Sequence, residues 1–506
     1  MRRFALFFVV CALLFPTSFL CTAQSGGSLG AFAAQQDVGT VLHAGSAHFD
    51  AGEGTYTITG SGDNVWSTSD DLHYLWKRAD GDVVLSARVA FVGTGGEEHR
   101  KAMLMIRQSL APDSAYVDVA RHGNGLTSLQ YRNSTGDVTR EVRLGVSGPP
   151  LVRIAKRGDF FYVWYAGADG KWRYSGASMK LPMQGPFYVG LGVCAHNKDR
   201  IETAKFSEVR LTERATKPGT EMQGTLYSTL ETVPIASTDR GVVFTAAAHF
   251  EAPNWLKDGS GFLVNEGGHI ERVGAKGEAP VVIDTGSLDR INNDHVLSPD
   301  GMQVAISDNT EPGGSRIYTL PLAGGVPKQL TANAPSYAHG WSPDGKTIAF
   351  CGERNGEFDV YTIPAAGGEE TRLTTAKGLD DGPNYSPDGK YIYFNSVRSG
   401  HMQIWRMLAD GSQQEQVTHD ETNDWFGHIS PDGKWMVFVA YGPDVEGHPA
   451  DKEVTLELMS LADGKTSLLA KLFGGQGTMN VPSWSPDSTT VAFVSYAYIP
   501  DVDGGE

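Results

Sequence analysis

Two histidines hold the same place relative to a recurring tetrapeptide. His295 and His339 each stand three residues before a Ser-Pro-Asp-Gly, which begins at Ser298 and at Ser342, and His428 stands two before the copy at Ser430. Imidazole changes charge near neutral pH and serves as acid, base or metal ligand. In the segments that lead into the tetrapeptides lie also His249, Glu251, Asn293, Asp294, Tyr337, Asp380, Asp381, Asp424 and Trp425. A second set of loops holds Arg354, Arg398, His401, Glu446 and His448, among other acids. Carboxylates beside imidazole can transfer protons, and Arg354 or Arg398 could neutralise an acidic sugar.

The candidate ligand site is therefore Asp294, His295, Tyr337, His339, Arg354, Asp381, Arg398, Asp424, Trp425, His428 and His448. His295 and His339 form the candidate metal pair; no cofactor is required, and a divalent metal is the one these side chains would accept. The offset of His428 turns it to the opposite strand face from the other two. All three histidines can equally pack between sheets and bond to backbone.

Other chemistries lack a complete signature. Gly26-Gly27-Ser28-Leu29-Gly30 has the spacing of a nucleophile elbow but lies outside any strand–helix context. There is no His-Glu-x-x-His, no paired zinc-type cysteines and no phosphate-binding glycine loop.

The elements that must position these residues are set by the repeat. Ser-Pro-Asp-Gly occurs at Ser298, Ser342, Ser386 and Ser430, with degenerate copies at Leu256 and Ser485, at intervals of 42, 44, 44, 44 and 55 residues. An apolar residue precedes each copy and a short apolar strand follows it. An alternating strand, a Gly-rich turn and a last strand ending in Leu-Thr or Val-Thr complete the unit. Four antiparallel strands per 40–45 residues predict a β-propeller, here of six blades. The long fifth interval places its excess in Gly442–Lys452, around His448, as a rim loop or lid. The segment Leu226–Ala246 is expected to supply outer strands to the sixth copy.

The units built on Trp341-Ser342-Pro343-Asp344-Gly345-Lys346 and Ile348-Ala349-Phe350 resemble those of TolB-type six-bladed propellers. The resemblance covers residues 225–506 and implies a fold shared by envelope proteins, peptidases and oligogalacturonate lyases. The peptidases' hydrolase domain has no counterpart here, so a serine peptidase is excluded. The metal-ligand motif of the lyases is not matched either.

Residues 30–213 lack the repeat and show short strands with turns between them, an antiparallel sandwich. Gly60–Trp66, Ala102–Ala115 and Gly190–Asn197 are similar to concanavalin-like jelly rolls, which implies carbohydrate binding. Trp66, Trp76, Tyr131, Trp164, Tyr165 and Trp172 could stack on sugar rings, and Arg107 and Gln130 could face a groove. Residues 214–224 read as a linker. The expected fold class is thus all-β, a jelly-roll sandwich followed by the propeller.

Met1-Arg2-Arg3, the apolar run Phe4–Leu14 and Cys21-Thr22-Ala23 form a secretory signal over residues 1–23. This predicts a periplasmic or extracellular bacterial protein with no membrane span after cleavage. Cys194 and Cys351 then remain, as buried thiols. The net charge of −17 argues against nucleic acid. A monomer is expected, with a polysaccharide or an envelope protein as partner. Three readings follow: an exported binding protein with a glycan-binding sandwich and a protein- or glycan-binding propeller, a polysaccharide lyase or glycoside hydrolase acting at the propeller mouth, and a TolB-like envelope scaffold. The lack of a full catalytic motif favours binding.

Overall fold

The structure is a computed structural model that describes residues 28–219 and 223–500. The signal segment, residues 1–23, lies outside the described residues, as do Gly26 and Gly27 of the elbow-like stretch. Every regular element among the described residues is a strand.

In the N-terminal half two antiparallel sheets face each other. One has seven strands, in the order Trp172–Lys180, Phe160–Ala166, Leu151–Arg157, Asp82–Phe91, Glu202–Arg214, Thr55–Gly60 and Ser46–Asp50. The other runs from Ala34–Val38 through Leu72–Ala79, Phe187–Cys194, Lys101–Arg107, Tyr116–His122 and Thr127–Arg132 to Arg140–Arg143. Alternation sets the inner face: in Thr55–Gly60, Tyr56 and Ile58 are buried while the threonines between them are half-exposed. Ile58, Leu85, Ile154 and Phe206 of the first sheet share a core with Leu75, Leu104, Leu129 and Leu191 of the second. Arg107 and Gln130, expected at a groove, are instead fully buried. Arg107 and Arg132 both bind the Asp70 carboxylate, at 2.7 Å each, in a site closed to water. Cys194 and Cys351 are buried free thiols, as expected.

The tetrapeptide has a physical reason. In each full copy the serine hydroxyl donates to the aspartate Oδ1 two residues on, at 2.6 Å for Ser298–Asp300, Ser386–Asp388 and Ser430–Asp432 and 2.7 Å for Ser342–Asp344. The same hydroxyl accepts the backbone N–H five residues on, as from Tyr391 at 2.9 Å. The aspartate accepts the N–H two residues on, as from Lys390 at 3.0 Å. One side-chain pair therefore fixes the turn and the start of the second strand. The terminal threonines work alike: Thr331, Thr374 and Thr418 each accept a backbone N–H of the third strand at 2.9 Å.

Five copies build self-contained four-stranded sheets, from Phe250–Trp255 to Thr466–Gly475. The sixth does not, so five four-stranded blades stand where six were expected; the segment Leu226–Ala246 does join the sixth copy, as expected. Its Trp484 bridges Val491, and its strand Thr490–Ile499 pairs along its whole length with Thr225–Pro234. That strand pairs with Arg240–Ala246, which runs parallel to Arg140–Arg143 of the N-terminal half. The sixth copy is thereby absorbed into one ten-stranded sheet that joins both halves. At this seam Glu231, fully buried, holds Arg240 at 2.6 Å and accepts from Ser495 at 2.5 Å. Arg240 also reaches the Lys471 carbonyl at 3.2 Å.

Glu231→Ala would leave Arg240 buried and unpaired at the seam. A loss of about 3–5 kcal/mol is expected, read as a lowered urea midpoint. An unchanged midpoint would mean the seam does not carry the closure.

Candidate functional site

The first strand of each blade carries an irregularity just before its tetrapeptide. Pairing shifts between Glu251 and Asn254, Ile291 and His295, Ala338 and Gly340, Asp381 and Asn384, and Trp425 and His428. Such bulges re-aim side chains. At three of them a residue takes positive φ: Ala252 at 55°, Gly382 at 61° and Phe426 at 57°. Only the second position accepts this without cost, because glycine has no Cβ to clash.

The residue five before the tetrapeptide is turned inward. Glu251, Asn293, Tyr337, Asp381 and Asn480 hold that place in five blades, and all line a cavity of about 750 Å³. In the fifth blade the equivalent Trp425 is buried, and its neighbour Phe426 lines the cavity instead. Asp294, His339, His249 and His448 complete the polar wall, with Phe358 and Leu379 as apolar patches.

His339 is the hub of this wall. Its Nε2 lies 3.3 Å from Asp381 Oδ1 and 3.9 Å from Asp294 Oδ1. Burial alone would lower the imidazole, but Asp294 and Asp381 raise it above its ordinary value. Burial works against the Asp381 carboxylate too, yet His339, the charge of His448 and the Gly382 N–H hold it well below the usual range. Asp294 responds the other way: burial pushes it up to about 6, against the pull of His339. Asn292 gives it an amide hydrogen bond at 3.1 Å. On the facing side Glu251 accepts from Asn293 at 2.6 Å and meets His249 at 3.1 Å. His448 bonds Gln476 and stands edge-on to Trp425, ring centres 4.3 Å apart. The long segment of the fifth blade thus reaches the mouth through His448.

Of the expected site residues, Asp294, Tyr337, His339, Asp381 and His448 come together. The others do not line the cavity. His295 is fully buried, its imidazole pushed down to about 4 by burial, and His428 likewise down to about 3. His295 does not share the cavity that His339 lines, and among the described residues no group of three His, Cys, Asp or Glu side chains is placed to hold a metal ion. The cause is the second blade's bulge, where four residues from Ile291 to His295 span two on the partner strand. That irregularity brings Asp294 rather than His295 to the cavity. Arg354 is spent on Glu370 at 2.9 Å and on the Ser336 hydroxyl at 2.9 Å. Arg398 is spent on Asp380 and Gln414, both at 2.6 Å. Asp424 is buried on Thr422 at 2.8 Å, its carboxyl raised by burial to about 7.

Sequence reasoning missed Gln476, Asn480, Asn265, Phe358 and Phe426. For Asn480 the signal was present, since it stands five before Ser485.

Residues 334–498 match the TolB beta propeller domain family. An uncharacterized protein of Agrobacterium fabrum is 48% identical over 286 residues, which is 56% of this chain and 96% of the relative. A solved structure from Agrobacterium tumefaciens, presented as a candidate TolB, is 48% identical with a TM-score of 0.53, over 55% of this chain and 100% of that one. TolB from Acinetobacter baumannii is 21% identical with a TM-score of 0.38, over 48% of this chain and 56% of its own.

The proton equilibria of the wall set a pH dependence. Asp294 has a folded pKa of about 6, above its ordinary value of 3.8, so its share of stability is present below pH 4 and is lost as pH rises through 6. His339, also raised, loses its share above its ordinary value of 6.5. The difference in melting temperature between Asp294→Asn and the parent is expected to grow in favour of the variant from pH 4 to pH 7. A difference independent of pH over that range would contradict the assignment.

Proposed function

The chain belongs to the TolB-type β-propeller family, and from that premise we propose that it is an exported binding protein whose propeller mouth takes a basic segment of an envelope-protein partner. In this reading the strands Thr225–Pro234, Arg240–Ala246 and Thr490–Ile499, with the Trp484 bridge, act as a sixth blade around the cavity. Residues 30–213 act as a glycan-binding jelly roll, residues 214–224 as the linker and residues 225–506 as the propeller. The signal over residues 1–23 supports export to the periplasm or beyond.

One observation carries the reading of the mouth. Glu251, Asp294 and Asp381 line it together with five amide side chains, Asn265, Asn292, Asn293, Gln476 and Asn480, and among the described lining residues none is Arg or Lys. Carboxylates and amide oxygens in a confined cavity favour amines and guanidinium groups as hydrogen-bond donors. The two arginines that would have matched an acidic sugar are tied into their own blades. A TolB-like scaffold role is compatible, with the partner's basic segment seated in the mouth.

A second reading keeps one supporting fact. A carboxyl held at about 6, next to the His339–Asp381 pair, suits proton transfer to a bound substrate. Product release from an envelope glycan, lost in Asp294→Asn, would favour an enzyme over a binder.

The binding reading is tested on an immobilised hexapeptide array probed with the purified protein. Enrichment of peptides with Lys, Arg or a free amine is expected, with affinity falling as salt rises. Asp381→Asn and Glu251→Gln should each weaken the best peptide roughly tenfold, the worth of one charge-assisted hydrogen bond. Enrichment of acidic peptides, or an Asp381→Asn protein that binds like the parent, would overturn it.

A further inference from the structure

The seven-stranded sheet of the N-terminal half presents aromatic side chains on its outer face. Arg153 pairs across the strands with Trp164, and Trp164 with Tyr174. Trp172 stands two residues before Tyr174 on the same strand and so shares its face. Trp164 and Tyr174 meet edge-to-face with ring centres 6.0 Å apart, and Tyr174 meets Tyr227 of the adjoining sheet at 5.1 Å. These rings line an open groove of about 750 Å³ where the N-terminal half meets the edge of the ten-stranded sheet.

The groove differs in charge from the rest of the chain. In a protein of net charge −17 its charged lining residues are Arg153 and Arg173, and among the described lining residues none is acidic. Arg173 is paired with Asp169 at 2.6 Å. Arg153 is not spent in this way. Its guanidinium lies over the Trp172 ring, 4.0 Å from the centroid, and its Nε is buried with no acceptor. Burial and the neighbouring Arg210 both act against its charge, with no carboxylate to offset them. Trp172 holds the planar group in place, which leaves the remaining guanidinium donors for a ligand.

We propose that this groove, built by Arg153, Trp164, Trp172, Tyr174 and Tyr227, is a binding site for an anionic glycan, with sugar rings laid on the half-exposed Trp172 and Tyr227 and a uronate carboxylate on Arg153. The proposal rests on the glycan-binding reading of the N-terminal half and gives it a place and a charge. The chemistry matches each part. The faces of Trp and Tyr accept the C–H side of a pyranose. A guanidinium fork accepts a carboxylate through two parallel bonds. An open groove admits a chain, where an enclosed pocket would admit one ring.

The test uses the full chain and two probes, hexagalacturonate and its fully methyl-esterified form, which has the same rings without the charge. By calorimetric titration the parent should bind the charged hexamer roughly tenfold or more tighter than the ester, as expected of a charge-assisted pair. Arg153→Gln should bind the two forms alike. Trp172→Ala should weaken both about tenfold while Trp172→Phe keeps most of the affinity, and melting curves should confirm that all variants are folded. Tight binding that neither Arg153→Gln nor Trp172→Ala changes would overturn the groove and leave the glycan reading standing. Equal binding of acid and ester by the parent would overturn the charged site. No binding of either probe, nor of neutral or acidic glycans on an array, would remove the glycan reading and the proposal with it.

Discussion

A ring of sheets has a first and a last strand, and its integrity depends on how these are joined. Here the joint is the pairing of Thr225–Pro234 with Thr490–Ile499, whose partners lie from 256 (Pro234 with Thr490) to 274 (Thr225 with Ile499) positions apart in sequence yet adjacent in space through ten successive register pairs. A closure between such distant segments carries the entropic cost of a long loop, which their pairing must offset. The buried Glu231–Arg240 pair specifies it, because a register slip would strand both charges away from water. The same strands carry the closure onward to Arg140–Arg143, so the N-terminal half is held by backbone hydrogen bonds as well as by side-chain packing. The outer-face groove exists because of that junction: Tyr174 belongs to one half and Tyr227 to the other.

Within the ring, position is handed from the turn to the cavity. The Ser–Asp clamp fixes where each second strand begins, and antiparallel pairing then fixes the first strand against it. A residue five places before the serine has little freedom left. This is why residues as different as Glu251, Tyr337 and Asn480 reach one cavity. The blades share a backbone device, and varying one position of it supplies part of the mouth's chemistry, to which Asp294, His339, His249 and His448 are added from other positions.

The sequence patterns that proved readable were those enforced by local bonds. The tetrapeptide and the terminal threonines repeat because each satisfies a backbone N–H only a few residues away. The strands and the propeller arrangement follow from them. What could not be read depended on partners distant in sequence or on small register changes. Arg398 looked available until Asp380 and Gln414 were seen around it. Arg107 looked like a groove residue, but Asp70, far upstream, buries it. His295 and His339 are equivalent by counting, yet bulges of different size separate them, and counting cannot see a bulge.

The contrast between Asp294 and Asp381 shows how such small differences become chemistry. Both carboxylates are enclosed, and both face the same imidazole, so burial penalises their charge alike. Asp381 sits closer to His339, at 3.3 Å against 3.9 Å, and also accepts the Gly382 N–H at 2.7 Å, which only a bulge with positive φ presents to it. Asp294 receives an amide from Asn292, a weaker partner for a charge than a second cation. Once Asp381 is ionised, its field opposes ionisation of Asp294 across the shared histidine. Asp294 therefore keeps its proton to a higher pH than Asp381 does, and the difference follows from the glycine at Gly382 and the two extra residues of the second blade's bulge.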